Sequence, residues 1–259
     1  MADASTDELR EYETRATKLV RTLSREPSKF PELATQLREA LSVLHFFGGH
    51  LQAKDAWEAW SIASATPDEH KKTSLRLELL YSLAKADPAR ALPLCRGAMQ
   101  LERSSYDRDT AAIAWLMAQG LACPWTAEEV IRDAGSPAAP RPVRHVCVLA
   151  WLDVQVDNGG FSQWFCNGFG REWKLTIEAC EAVGAPVTSR LVQRGVEAFG
   201  PLGGLTEDEI SKRVHGPQDD AISTRLAELD GLFGEDEDRL MVRAAEYIAK
   251  HRQHFALPK

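Results

Sequence analysis

VQVDNGGFSQWF, residues 154–165, supports two incompatible readings, and the choice between them fixes the fold. As a β-hairpin, Leu152, Val154 and Val156 alternate with Asp153 and Gln155, Asn158-Gly159 makes the turn, and aromatic residues open the return strand. As helix, the same residues continue a pattern that begins near Val146, and the glycines make a tight corner. Phe161, Trp164 and Phe165 then fall at i, i+3 and i+4, on one side of a helical turn. The helical spacing on both sides favours two helices joined at a corner. In that reading Asn158 takes a backbone conformation with positive φ, which Asn tolerates better than most residues. Gln163 and Asp157 are then available to bond the corner's carbonyls and amides, and Asn167-Gly168 stops the second helix in the left-handed conformation. Asn158 and Asn167 are the only asparagines in the chain, which makes their placement nine residues apart conspicuous.

Working outward, the rest of the chain is punctuated as helices. S/T-x-x-E capping boxes occur at Ser5/Glu8, Thr66/Glu69, Thr126/Glu129 and Thr206/Glu209. Pro67 and Pro88 follow Thr66 and Asp87, at starts where a missing N–H costs nothing. Pro27, Gly48-Gly49 and Gly120 mark ends. Between them run helical stripes: Leu9, Tyr12, Ala16, Leu19, Leu23; Leu33, Leu37, Leu41, Leu44; Ile222, Leu226, Leu229, Phe233; and Leu240, Ala244, Tyr247, Ile248, His251, Phe255. The expected fold class is all-α. A faint repeat of period 32 pairs Leu51 with Leu83, Asp55 with Asp87 and Ala59 with Ala91. It leaves open a stacked array of helical hairpins, a form that binds proteins on its concave face, or an irregular bundle. The segment DAGSPAAPRP (residues 133–142) carries three prolines and no stripe. It reads as a linker between a helical domain at 1–132 and a second at 143–259.

The composition, 44% apolar and 27% charged, is that of a chain with real cores. Of the formal charge of -7, residues 145–259 hold 18 acidic against 12 basic side chains. That sign argues against direct binding of nucleic acid or of anionic membranes. No apolar run reaches the ~20 residues of a membrane span. The polar, acidic start is no signal peptide, and a cytoplasmic location is expected. Cys95, Cys123, Cys147, Cys166 and Cys180 include no C-x-x-C pair and read as core residues in a reducing compartment. No cofactor or metal motif appears, and no P-loop, H-E-x-x-H or G-x-S-x-G.

The stretch Val156-Asp157-Asn158-Gly159-Gly160-Phe161-Ser162-Gln163-Trp164-Phe165-Cys166-Asn167 resembles the hallmark E-V-N-N-G-G-F-x-Q-[FW]-F-x-N of the bacterial DNA-mimic proteins and their relatives. Further matches are the corner Val183-Gly184-Ala185, the closing Phe199, and Leu226, Leu229, Asp230 and Phe233. Asp157 departs from the first asparagine of the pair. The resemblance covers about residues 145–255 and leaves 1–132 unexplained. It implies an all-helical, non-enzymatic domain that shows carboxylates where DNA shows phosphates. Its partner would be a protein, such as a transcription factor whose DNA-binding face it occupies, and pairing as a homodimer is a further option.

The acids available are Glu207-Asp208-Glu209, Asp219-Asp220 and Glu235-Asp236-Glu237-Asp238. Each run is contiguous, so its members radiate around a helix and do not line one face. Each also precedes or opens a predicted helix, where acids offset the macrodipole. Ordinary helix-start chemistry therefore competes with mimicry. If the three starts share one side of the domain they form a single negative surface; if Arg171, Lys174, Arg190 and Arg194 lie among them, they do not. Two other functions stay open: an immunity or antitoxin-like neutraliser of a basic toxin or nuclease, and an enzyme of unrecognised class.

Overall fold

The computed structural model describes residues 6–46, 49–65, 69–101, 105–123, 138–200, 206–215 and 220–257. These residues form twelve α-helices and three short 3-10 turns, with no strands among them. The hairpin reading of residues 154–165 is thereby excluded and the all-α reading holds. Contacts divide the chain into two compact units, residues 1–120 and 121–259.

The first unit contains α1 (Thr6–Arg25), α2 (Phe30–Phe46), α3 (Ala53–Ala65), α4 (Glu69–Ala86), α5 (Pro88–Leu101) and α6 (Ser105–Ala118). Neighbours in sequence pack as pairs, α1 on α2, α3 on α4 and α5 on α6, while α4 packs against both α2 and α6. Leu37, Leu41 and Leu44 of the predicted stripe are buried, as are Ala16 and Leu23. The repeat-matched pairs Leu51/Leu83 and Ala59/Ala91 are buried as well. Pro88 opens α5 as expected, directly after Asp87. The Ser5, Thr66 and Thr126 capping boxes lie wholly or partly outside the described residues.

The second unit contains α7 (Arg141–Cys166), α8 (Trp173–Val183), α9 (Pro186–Phe199), α10 (Glu207–His215), α11 (Asp220–Gly234) and α12 (Leu240–Lys250). Helix α7 is its spine and packs against α8, α10, α11 and α12. Its buried face (Leu149, Leu152, Val156, Phe161, Trp164, Phe165) meets Ala179 and Cys180 of α8, Val192 and Phe199 of α9, and Leu226 and Leu229 of α11. An antiparallel bridge joins Leu121 to Ala256, and the Ala122 N–H donates to the Phe255 carbonyl at 2.7 Å. The expected linker is described only from residue 138. Within it, α7 already begins at Arg141, with a proline in its first turn where no N–H is needed.

A kinked helix and its acidic surroundings

Helix α7 is bent where the sequence places its two glycines. Gly159 (φ -167°, ψ 24°) and Gly160 (φ 74°, ψ -177°) leave helical geometry, and the chain resumes it at Phe161. Asn158 does not take the positive φ expected of it. The non-glycine residues with positive φ among those described are Asp236 and Arg239. Gly160 carries the turn because its φ and ψ fall in a region that is essentially glycine-only. A Cβ there would also run into the carboxylate of Asp230.

Asp230, on α11, is the reason for that close approach. The Phe161 N–H donates to its Oδ1 at 2.7 Å. The carboxylate thus caps the second half of α7 from another helix, satisfying a free first-turn N–H and the positive end of the dipole. Burial pushes the Asp230 carboxyl up, and the bond from Phe161 opposes this. Gln163 and Asp157 were expected to bond the corner's backbone, but Gln163 bonds a side chain instead. Gln163 Nε2 donates at 3.1 Å to Oε1 of Gln155, a buried side chain eight residues upstream. Asn167 Nδ2 donates to the same oxygen at 2.6 Å. One buried glutamine therefore ties both sides of the kink together. Gly168 (φ 80°) supplies the left-handed stop, and Gly184 (φ 81°) does the same for the Val183-Gly184-Ala185 corner.

The acidic residues separate into inward and outward sets. Asp236 Oδ1 accepts the Leu240 N–H at 2.9 Å, capping α12. Asp238 Oδ2 accepts the Thr188 N–H at 2.6 Å, capping α9 from 50 residues away. Glu235 and Glu237 between them are exposed. Asp157 is also exposed, and its carboxyl is pushed up by burial of its surroundings and by the charge of Asp236. The kink of α7 and the loop before α12 are thus electrostatic neighbours. Elsewhere Asp208 pairs with Lys212 at 2.8 Å, both exposed. Glu209 closes the predicted capping box: Thr206 N–H and Oγ1 donate to its Oε2 at 2.7 and 2.8 Å, and its own N–H returns to Thr206 Oγ1 at 3.3 Å. Those bonds hold the Glu209 carboxyl below its ordinary range. Asp219 and the side chains of Glu207 and Asp220 lie outside the described residues. Arg190 and Arg194 are exposed one turn apart on α9, so the unit is not negative throughout.

Two histidines, His145 buried and His45 partly so, have partners that the sequence does not reveal. His145, on α7, contacts Glu178 Oε1 through Nε2 (3.0 Å) and the Tyr247 hydroxyl through Nδ1 (3.1 Å). Glu178 is held down to about 2, first by its bonds from Arg141 and then by that from His145. In the first unit, His45 Nδ1 meets Glu78 Oε2 at 3.0 Å and Nε2 meets Ser82 Oγ at 2.9 Å, while Ser82 Oγ accepts the Leu51 N–H at 3.2 Å. The order Ser–His–Glu matches that of a nucleophile relay. Ser82 is fully buried, however, and its oxygen is already taken by a backbone amide. The arrangement fits a polar lock between α2, α4 and the entry to α3.

This lock has a pH signature. Burial lowers the His45 pKa below its ordinary value, more than Glu78 raises it, with Lys85 adding to the lowering. The folded state therefore prefers neutral His45. Its contribution is fully present above the unfolded-state value of about 6.5 and is lost as pH falls below it, because the unfolded chain then binds more protons. His50 and His145 shift in the same direction. Urea titrations between neutral and mildly acidic pH are expected to show stability falling with pH, with a shallower slope in His45→Gln.

Among the described residues no cluster of His, Cys, Asp and Glu could hold a metal ion, and no helix is long and apolar enough to cross a membrane. Residues 138–251 match the family described as DMP19-like protein. This stretch, which contains the kink, Asp230 and the loop at 235–238, is similar to that family. No curated protein and no solved structure matches the chain.

Proposed function

We propose that the C-terminal unit is a non-enzymatic protein-binding domain whose exposed carboxylates stand in for DNA phosphates. Its partner on this reading is a DNA-binding protein, such as a transcription factor, met in the cytoplasm without any cofactor. The observation that carries the reading is that Asp157 lies near enough to Asp236 to feel its charge, within a stretch similar to the DMP19-like family. Asp236 and Asp238 serve as caps and hold the loop in shape. Glu235 and Glu237, with Asp157, are left facing solvent. Rigid placement matters because a surface that imitates a phosphate row has to present its charges without first ordering them. The Thr206 box and the Asp208–Lys212 pair engage the other described acids locally, which makes the kink side the better contact surface.

The test is affinity capture from native lysate on the full chain, eluted first in salt steps and then with duplex DNA. A captured DNA-binding protein that leaves with rising salt, as phosphate contacts do, and is displaced by duplex supports the proposal. Capture of a protein that ignores duplex contradicts it.

A further inference from the structure

Asn158 and Asn167 are each followed by glycine, the neighbour that least hinders attack of a backbone nitrogen on the asparagine side chain. We propose that Asn158 is a site of spontaneous conversion to aspartate and isoaspartate, and that the fold protects Asn167 from the same reaction. In this chemistry the Gly159 nitrogen loses its proton and attacks Cγ of Asn158. A C–N bond forms, the Cγ–Nδ2 bond breaks, and the amide nitrogen leaves as ammonia. Water then opens the resulting succinimide at either carbonyl, giving aspartate or isoaspartate. No enzyme, metal or oxidant is required, only water.

The two sites differ in what restrains them. Asn167 Nδ2 is bound to buried Gln155 Oε1 at 2.6 Å, and the attacking nitrogen, that of Gly168, donates to the Phe165 carbonyl at 3.0 Å. Reaction there requires breaking both bonds. The Asn158 side chain is exposed and has no hydrogen-bond partner among the described residues. It is the last helical residue before the kink, and Gly159 has already left helical geometry. The consequence is local and electrostatic: each conversion adds a negative charge next to Asp157, which already feels Asp236. The isoaspartate form also lengthens the main chain just ahead of the turn at Gly160.

The test is incubation of the folded full chain at neutral and mildly alkaline pH, followed by peptide mass spectrometry of residues 154–168. Asn158 is expected to acidify about tenfold or more faster than Asn167, the factor set by an opening cost near the worth of one buried hydrogen bond. In denaturing urea the two rates should converge, and Asn158→Gln should remove the fast phase alone. Equal rates in the folded protein, a faster Asn167, or an Asn158 that converts only in urea would each overturn the proposal.

Discussion

Gly160→Ala is expected to lower the stability of the C-terminal unit by roughly 3–5 kcal/mol. About 1–3 kcal/mol comes from forcing a side-chain-bearing residue into a glycine-only region. The remainder comes from the Asp230 cap, since the new Cβ would occupy the space of its carboxylate. Displacing that carboxylate leaves the Phe161 N–H without its charged partner, a loss of about 1.5–3 kcal/mol. Urea denaturation of the full chain, followed by circular dichroism and tryptophan fluorescence, measures the sum. Asp230→Asn separates the parts, because it keeps an acceptor of similar shape and removes only the charge. It is expected to cost about 1–2 kcal/mol. A Gly160→Ala protein as stable as the parent would mean that the kink is not held by this approach.

Phe161→Ala is the second large effect, about 3–5 kcal/mol. The ring is fully buried and lies edge-on to Trp164 and to Phe233, with centroids 6.0 Å apart in both pairs. Its flank rests on Gly195 of α9. Truncation empties a space walled by three helices, which cannot collapse without moving the kink that positions them. The same residue supplies the N–H that Asp230 accepts, so packing and capping should couple. A double-mutant cycle of Phe161→Ala with Asp230→Asn is expected to be non-additive. Strict additivity would show the two contacts to be independent.

What the sequence could tell followed the range of the interactions. Helix starts and stops were legible because they are local: the Thr206 box closes within three residues, and Gly168 and Gly184 end their helices where expected. The choice of helix over hairpin was legible from spacing alone. The turn residue was not. Asn158 and Gly160 are both admissible by local preference, and only a carboxylate 69 residues from Phe161 decides for Gly160. The acidic run 235–238 looked uniform for the same reason. Asp236 caps a helix four residues on, but the role of Asp238 depends on Thr188, far away in sequence. Gln155 carried a faint signal, an amide flanked by two valines in an apolar run, of which Val156 is buried with it and Val154 is exposed. The buried lock of His45 and Ser82 carried none, because its members stand 37 residues apart in different helices.

In the proposed function, exposed carboxylates at the kink and the loop before α12 take the place of DNA phosphates. The most direct measurement compares the full chain with Glu235→Gln/Glu237→Gln as baits in the same lysate, each bound fraction challenged with duplex DNA. Both glutamates are exposed and the caps of this loop are Asp236 and Asp238, so the variant is expected to fold with unchanged stability. A DNA-binding protein is expected on the parent bait, released by duplex, and much reduced on the variant at equal salt. A partner held equally by both baits and indifferent to duplex would contradict it.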